Sequence, residues 1–332
     1  MSDHKLQPFF MQSNSCDPWY NLAVEEYLFS QIGDQDILLF LWQNEKTVVI
    51  GKNQNAWKEC LWQLLEQDGG KLARRLSGGG AVYHDIGNLN FTLITTRKND
   101  HESDQMQMLL HALQYCGIDA AFSGRNDLCV QNRKFSGMAS YINSHKVLKH
   151  GTLLLHTDLD NMARYLTVSP AKIKSKGVDS VQARVINLQA LNKDLTVAKL
   201  GQALQDSFRQ YYGDAIILTS NALDETTIKN HYDKYASWEW RFGTSPDFDV
   251  EVEHSFNWGS VNIGLSLKDG LIQNAALYSD AMDCVFIEIL ANAMIGHPLN
   301  ATTLLTTLSP LPQNALQQKM LQDILRLVLE KP

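Results

Sequence analysis

Arg74-Arg75-Leu76-Ser77-Gly78-Gly79-Gly80-Ala81-Val82-Tyr83-His84-Asp85, followed by Gly87-Asn88-Leu89-Asn90-Phe91-Thr92-Leu93-Ile94, places two cations, a hydroxyl, three glycines and an imidazole before a strand-like run. Three adjacent glycines are entropically costly to order, so they mark backbone that adopts φ > 0 or lies close to a ligand. Their N–H groups read as an anion-binding nest, and the flanking arginines as charge-assisted donors. Common nucleotide loops do not account for the segment. A Walker A loop requires Gly-Lys-Ser/Thr at its end, but Ala81-Val82 follows Gly80. A dinucleotide loop opens a helix, whereas this one opens a strand.

Working outward, Asp17 and Pro18 read as the N-cap and first turn of a helix carrying Leu22, Ala23, Tyr27 and Leu28 on its apolar stripe. Residues 37–42, 47–50, 81–83 and 90–95 read as short buried strands. A helix is expected over 106–116, strands over 127–131, 134–141 and 147–155, and helices over 159–166 and 195–211. Regular βαβ alternation is missing, so the fold class is α+β, with mixed or antiparallel sheets flanked by helices. The turn-rich stretch Gly243-Thr244-Ser245-Pro246-Asp247 suggests a boundary, giving domains of 1–245 and 246–332. Beyond it, strands at 250–256, 261–267 and 271–278, a hairpin signal at Lys268-Asp269-Gly270, and helices at 281–293 and 315–329 predict a small α+β domain.

The 332 residues are 44% hydrophobic and 20% charged, as expected of a globular chain, with net charge -7. That acidic balance argues against nucleic acid as a partner. Five cysteines without a Cys-x-x-Cys fit neither a disulfide scaffold nor a zinc knuckle and suit a reducing cytosol. Met1–Gln7 holds no apolar signal core, and no apolar run is long enough to span a bilayer. A cytoplasmic protein away from membranes is the expectation.

The glycine loop, Asp17-Pro18-Trp19-Tyr20-Asn21-Leu22-Ala23-Val24-Glu25-Glu26, Thr47-Val48-Val49-Ile50-Gly51-Lys52-Asn53-Gln54-Asn55 and Gly124-Arg125-Asn126-Asp127-Leu128 together resemble the lipoate–protein ligase A family. So do Arg133-Lys134-Phe135-Ser136-Gly137, His150-Gly151-Thr152-Leu153-Leu154, Lys176-Gly177-Val178-Asp179-Ser180-Val181 and Trp238-Glu239-Trp240-Arg241-Phe242-Gly243. The order of these motifs covers nearly the whole chain. The resemblance implies the biotin/lipoate ligase-like fold with a C-terminal accessory domain. It also implies activation of lipoate (or octanoate) by ATP and Mg²⁺ to lipoyl-AMP, then transfer to a lysine of lipoyl domains of 2-oxoacid dehydrogenase E2 subunits and of glycine cleavage H protein. A monomer is expected.

The resemblance makes Lys134 the catalytic residue, its ammonium stabilising charge that gathers on phosphoryl oxygens. Arg75 and Gly80-Ala81-Val82-Tyr83 become lipoyl and nucleotide contacts, with Ser77, Gly78, Gly79 and His84 beside them. Asn126 and Asp127 are assigned to phosphate and Mg²⁺ (Asp127 as the metal-side carboxylate), although an Asx turn explains the pair equally well. Ser136 and Gly137 become substrate or ATP contacts, and His150, Gly151 and Thr152 line the acyl pocket, His150 positioning rather than attacking. Lys176, Gly177, Ser180 and Arg184 belong to a segment that closes over the adenylate and excludes water. His84 is balanced between a structural histidine and a ligand contact.

Two departures from the family pattern stand out: Lys52 where an arginine is expected, and Phe135, bulky beside the catalytic lysine. An octanoyl or lipoyl transferase of the same fold needs a cysteine nucleophile, and residues 166–185 contain none. Biotin ligase carries a Gly-Arg-rich loop where this chain has Ser-Gly-Gly-Gly. A catalytically inert lipoate-binding paralogue is the third alternative. Trp238 and Trp240, alternating around Glu239, read as an interdomain packing strand.

Overall fold

The computed structural model describes residues 6–123, 126–167, 185–243 and 248–329. Among these, the strands are β1 (Gln7–Gln12), β2 (Asp36–Trp42), β3 (Thr47–Ile50), β4 (Lys71–Arg74), β5 (Val82–His84), β6 (Asn88–Thr96), β7 (Ala121–Ser123), β8 (Asp127–Val130), β9 (Arg133–Ile142), β10 (Lys146–Leu154), β11 (Ile216–Leu218), β12 (Val250–Phe256), β13 (Gly259–Lys268) and β14 (Leu271–Ser279). The helices are α1 (Pro18–Gln31), α2 (Ala56–Glu59), α3 (Trp62–Gln67), α4 (Glu102–Tyr115), α5 (Leu159–Tyr165), α6 (Val197–Tyr212), α7 (Glu225–Ala236), α8 (Trp238–Phe242), α9 (Cys284–Met294), α10 (Ala301–Leu308) and α11 (Ala315–Leu329).

The large sheet runs β11-β1-β2-β6-β10-β9-β8-β7. Its β11, β1 and β2 are parallel and the remaining pairs antiparallel. Every residue of β6 is buried, as a central strand covered on both faces requires. One face packs on α1 and α7 through Leu22, Leu28, Phe40, Ile94 and Tyr235; the other packs on α4 and α6 through Leu39, Phe91, Met108, Leu204 and Phe208. A small sheet, β4-β3-β5, carries the two ends of the glycine loop. The third sheet, β12-β13-β14, shares a separate core with α9, α10 and α11, from Val252 to Val328. The α+β class with mixed sheets therefore holds.

Local chemistry accounts for the boundaries read correctly. The Asp17 carboxylate accepts from the Trp19 N–H at 2.9 Å, with Pro18 at the first helical position. Asp269 and Gly270 both take positive φ, +53° and +79°, as a two-residue β-hairpin requires.

The stretch Trp238–Phe242 is a helix, not the expected strand. Ser237 caps it, its hydroxyl accepting from the Trp240 N–H at 3.2 Å, and Trp238 stacks on Phe242 one turn later at 4.0 Å between ring centres. The helix expected to begin at Ala281 starts at Cys284, because Asp283 caps it by accepting from the Phe286 N–H. Strands β1 and β11, and helices α7 and α10, escape a reading based on apolar runs. β11 is three residues long and largely exposed, and α7 is mostly polar.

A β-bulge sets the orientation of β9. Leu128 pairs with Ser136 and Cys129 with Lys134, so β9 carries one extra residue, Phe135. Phe135 is fully buried in the main core with Leu128 and Ile186. It does not crowd the ammonium of Lys134, which corrects the expectation drawn from its size.

Arg74, 7% exposed, ties the small sheet to α8. Its guanidinium donates to the carbonyls of Gly51, Lys52, Gln54, Trp240 and Arg241 at 2.6–3.2 Å. Burial lowers its pKa to about 10, still high enough to keep the charge at neutral pH. Arg74→Ala leaves these carbonyls without their donor, so denaturant unfolding should show a loss of about 3 kcal/mol or more. Arg74→Lys should not restore it, since one ammonium cannot reproduce the planar fork.

Candidate active site

A cavity of about 540 Å³ lies between the large sheet and the glycine loop. β9 and β10 supply Lys134, Ser136, Gly137, Met138, Ala139, His150, Gly151, Thr152 and Leu154 to its wall; Gly79 to His84 close the opposite side; Leu22, Trp42, Val49, Arg75, Asn90, Asn126, Met162, Leu166 and Val185 complete it. A wider surface depression of about 910 Å³ lies between α4 and α6. None of the predicted residues line it, so chemistry rather than size identifies the site.

Arg75 lines the cavity and commits its fork to the glycine loop. It is 6% exposed and donates to the carbonyls of Val49, Gly78 and Gly80 and to the Ser77 hydroxyl at 2.6–3.2 Å. Burial lowers its pKa to about 10, which leaves it a cation at neutral pH. The glycine loop thus turns carbonyls inward onto a buried guanidinium. Arg75, expected as a lipoyl and nucleotide contact, lines the cavity and shapes the loop beside it.

Ser77 lies off the cavity wall and is fully buried. Its hydroxyl accepts from Arg75 Nε at 3.0 Å and meets His150 Nε2 at 2.7 Å, while His150 Nδ1 meets Glu25 Oε1 at 2.9 Å. The Thr92 hydroxyl also donates to Glu25 Oε1, at 2.7 Å. Serine, imidazole and carboxylate in series resemble a nucleophilic triad, but a sealed hydroxyl that already accepts from a guanidinium cannot reach a substrate. The series is a brace from α1 through β10 to the loop. Glu25 was given no role by sequence, although it sits on the buried stripe of α1 between Leu22 and Leu28, where an unpartnered carboxylate would be costly.

The middle glycines serve the C-terminal core. A Cβ on Gly78 would stand 2.2 Å from the Ala281 carbonyl oxygen, and Gly79, at φ +85°, donates its N–H to the same oxygen. Gly78 therefore lies against residues 281–282 rather than on the cavity wall, a correction to its expected role as a ligand contact. Asn53 bridges the same segment through Ser279 and Cys284, and Lys52 pairs with Glu288 at 2.5 Å. The lysine found where an arginine was expected thus meets the C-terminal unit, outside the cavity.

At the far end of β9, Lys134 Nζ lies 2.7 Å from Asp127 Oδ1. A Cβ on Gly137 would meet that nitrogen at 2.9 Å, so the glycine leaves the ammonium room to lie across the strand. Asn126 donates from Nδ2 to the Met138 carbonyl at 2.7 Å, and its backbone carbonyl accepts from the Met138 N–H, fastening the loop to β9. Its amide nitrogen is therefore occupied, leaving the oxygen end for a ligand. The Ser136 hydroxyl is buried without a partner. Among the described residues no cluster of three His, Cys, Asp or Glu side chains gathers as a metal site. Lys176, Gly177, Ser180 and Arg184 fall outside the described residues.

His84 is 3% exposed, and its Nδ1 is 3.1 Å from Asn44 Nδ2. Burial, with Arg75 and His150 nearby, pushes its pKa down to about 3. The folded protein thus holds it neutral at pH values where an unfolded histidine takes a proton. Stability should fall as pH drops below about 6.5, at up to ~1.4 kcal/mol per pH unit from this group. Urea midpoints at pH 7 and pH 5 should show a larger loss for wild type than for His84→Gln.

A mostly apolar cavity with a lysine–carboxylate pair on its wall suits a ligase that handles an acyl substrate. Comparison with known proteins agrees. Residues 17–209 match the family model "Lipoyl protein ligase A/B catalytic domain", and residues 245–328 match "Bacterial lipoate protein ligase C-terminus". The lipoate-protein ligase A of Blochmanniella pennsylvanica is 40% identical over 88% of this chain and 89% of its own length. Among solved structures, P. falciparum LipL1 in complex with lipoate superposes with a TM-score of 0.84 at 27% identity, covering 98% of this chain and 100% of that one. A lipoate-protein ligase A bound with ATP gives 0.62 at 25% identity, covering 72% and 99%. The chain belongs to the lipoate–protein ligase A family and is a ligase.

Proposed function

We propose that this chain activates lipoate with ATP and transfers the lipoyl group to a lysine of an acceptor domain. The observation that carries the reading is Lys134, held at the end of a mostly apolar cavity by Asp127 over Gly137. In the first step a carboxylate oxygen of the acid attacks the α-phosphorus of ATP, and the bond to the bridging oxygen breaks to release pyrophosphate. Charge builds on the phosphoryl oxygens, and the Lys134 ammonium meets it on leaving Asp127. In the second step the acceptor amine attacks the acyl carbon, AMP departs, and the nitrogen loses a proton. Lys134 polarises the same carbonyl.

Asp127 would hold Mg²⁺ together with nucleotide phosphates, the usual arrangement of one carboxylate plus substrate oxygens. The ion supplies charge neutralisation on the phosphates. Residues 1–245 form the catalytic domain in this reading and 246–332 an accessory domain that rests on the glycine loop. The acceptors are lipoyl domains of 2-oxoacid dehydrogenases and the H protein of glycine cleavage, and the enzyme acts as a monomer in the cytoplasm. Among the described residues no helix is long and apolar enough to cross a membrane. Thioester chemistry is disfavoured: no cysteine lines the cavity among the described residues, and residues 168–184 contain none.

The test is lipoate-dependent exchange of pyrophosphate into ATP. Wild type should exchange, and Lys134→Ala should fold normally yet lose exchange by about 10²–10³-fold, the scale of removing one charge-stabilising group. Near-wild-type exchange by Lys134→Ala would reject its role. Asp127→Asn should retain acid binding in calorimetry while losing exchange, because the Mg²⁺-side carboxylate is removed.

A further inference from the structure

We infer that Thr152 is a positioning residue for Lys134: its hydroxyl holds the Gly137 backbone on which the ammonium lies, at the point where two strands part; this rests on the acid-activation reading above.

The sheet opens at this point. β10 stays paired with β6 as far as Leu154, but its ladder with β9 ends at Gly151 and Met138. The next pair, Gly137 and Thr152, falls outside that ladder, and a side chain takes over: the Gly137 N–H donates to Thr152 Oγ1 at 3.2 Å. On its other edge β9 remains paired with β8, Gly137 standing opposite Asp127. Gly137 and Thr152 both line the cavity, so the opened ladder is part of its wall.

Gly137 in turn carries the end of the lysine chain. A Cβ on it would meet Lys134 Nζ at 2.9 Å and Cε at 3.1 Å, so these two atoms rest against the strand there, with Nζ 2.7 Å from Asp127 Oδ1. The root of the same lysine is fixed separately, its carbonyl accepting from the Ile186 N–H at 2.9 Å. What is left to set is the height of the ammonium over β9, and the Gly137 peptide sets it. A backbone N–H at the edge of an opened ladder must find an acceptor. Threonine supplies one on a side chain that is stiff about its first torsion.

Stabilising charge on phosphoryl oxygens depends on where the ammonium already stands. A small shift of Gly137 therefore lowers the rate of the chemical step and leaves the grip on the acid in place. Valine in place of Thr152 keeps the shape and deletes the acceptor. A brace with no part in catalysis would also lower Tm when that acceptor is lost, so kinetics must separate the two roles.

The experiment measures kcat and the KM for lipoate in pyrophosphate exchange, with kcat taken per site that binds lipoate in calorimetry. Thr152→Val should lose about 10-fold in kcat with the KM for lipoate within about twofold of wild type. Thr152→Ser should recover most of that loss, and Thr152→Ala replaces the valine variant if the latter does not fold. Added to Lys134→Ala, Thr152→Val should cost no further exchange, because the group it positions is gone. A wild-type kcat in both Thr152→Val and Thr152→Ala overturns the inference. So does a raised KM for lipoate at unchanged kcat, which would make Thr152 a contact of the acid, and so does the same 10-fold loss in the Lys134→Ala background. Absence of exchange in wild type would overturn the activation reading and this one with it.

Discussion

The buried guanidinium of Arg75 is the constraint on which the site depends. A cation removed from water must be surrounded by acceptors, and here these are Val49, Ser77, Gly78 and Gly80. Carbonyls from consecutive loop residues can converge on one side chain only if the loop curls, and glycine permits that curl. The outward side of the same loop then has a defined shape, which becomes one wall of the cavity. Through Ser77 the arrangement continues to His150 and Glu25, so that α1, β10 and the loop are positioned by one buried polar network. Such networks are costly when incomplete and orienting when satisfied.

Arg74 and Arg75 are neighbours with opposite tasks. Successive side chains leave a strand on opposite faces, so one guanidinium gathers the carbonyls of the β3–α2 turn and α8 while the other gathers those of the glycine loop. The C-terminal core closes against the outer side of that loop at Gly78 and Gly79. The cavity wall and the accessory unit thus share a single short segment. The lysine end is built differently, by a bulge that turns Phe135 into the core while Lys134 meets Asp127 over a glycine.

Much of this was legible in the residues. Most sheet strands, the helix capped by Asp17 and the hairpin at Asp269-Gly270 follow from apolar period and capping, and the gathering of Lys134, Ser136, Gly137, His150, Gly151 and Thr152 with the glycine loop follows from the family resemblance. The misreadings share one cause. Trp238-Glu239-Trp240 shows the alternation of a strand, but a capping serine and an i,i+4 aromatic stack make it a helix. The loop carbonyls around Arg75 were not foreseen, because a sequence does not reveal what already surrounds a cation. Glu25 was passed over because a carboxylate on an apolar stripe shows its purpose only once its partner is seen.

Composition, periodicity and motif order therefore determined the class of fold, the family and the residue types of the site, since these depend on local preference and on which groups the chemistry needs. Only the tertiary structure decided which polar groups are occupied and which are not. Arg75, Ser77 and Asn126 commit donors or acceptors to the protein itself, whereas His84 and Ser136 retain buried atoms without a partner. That distinction depends on contacts between strands far apart in the chain, and a buried polar group is defined by its neighbours in space.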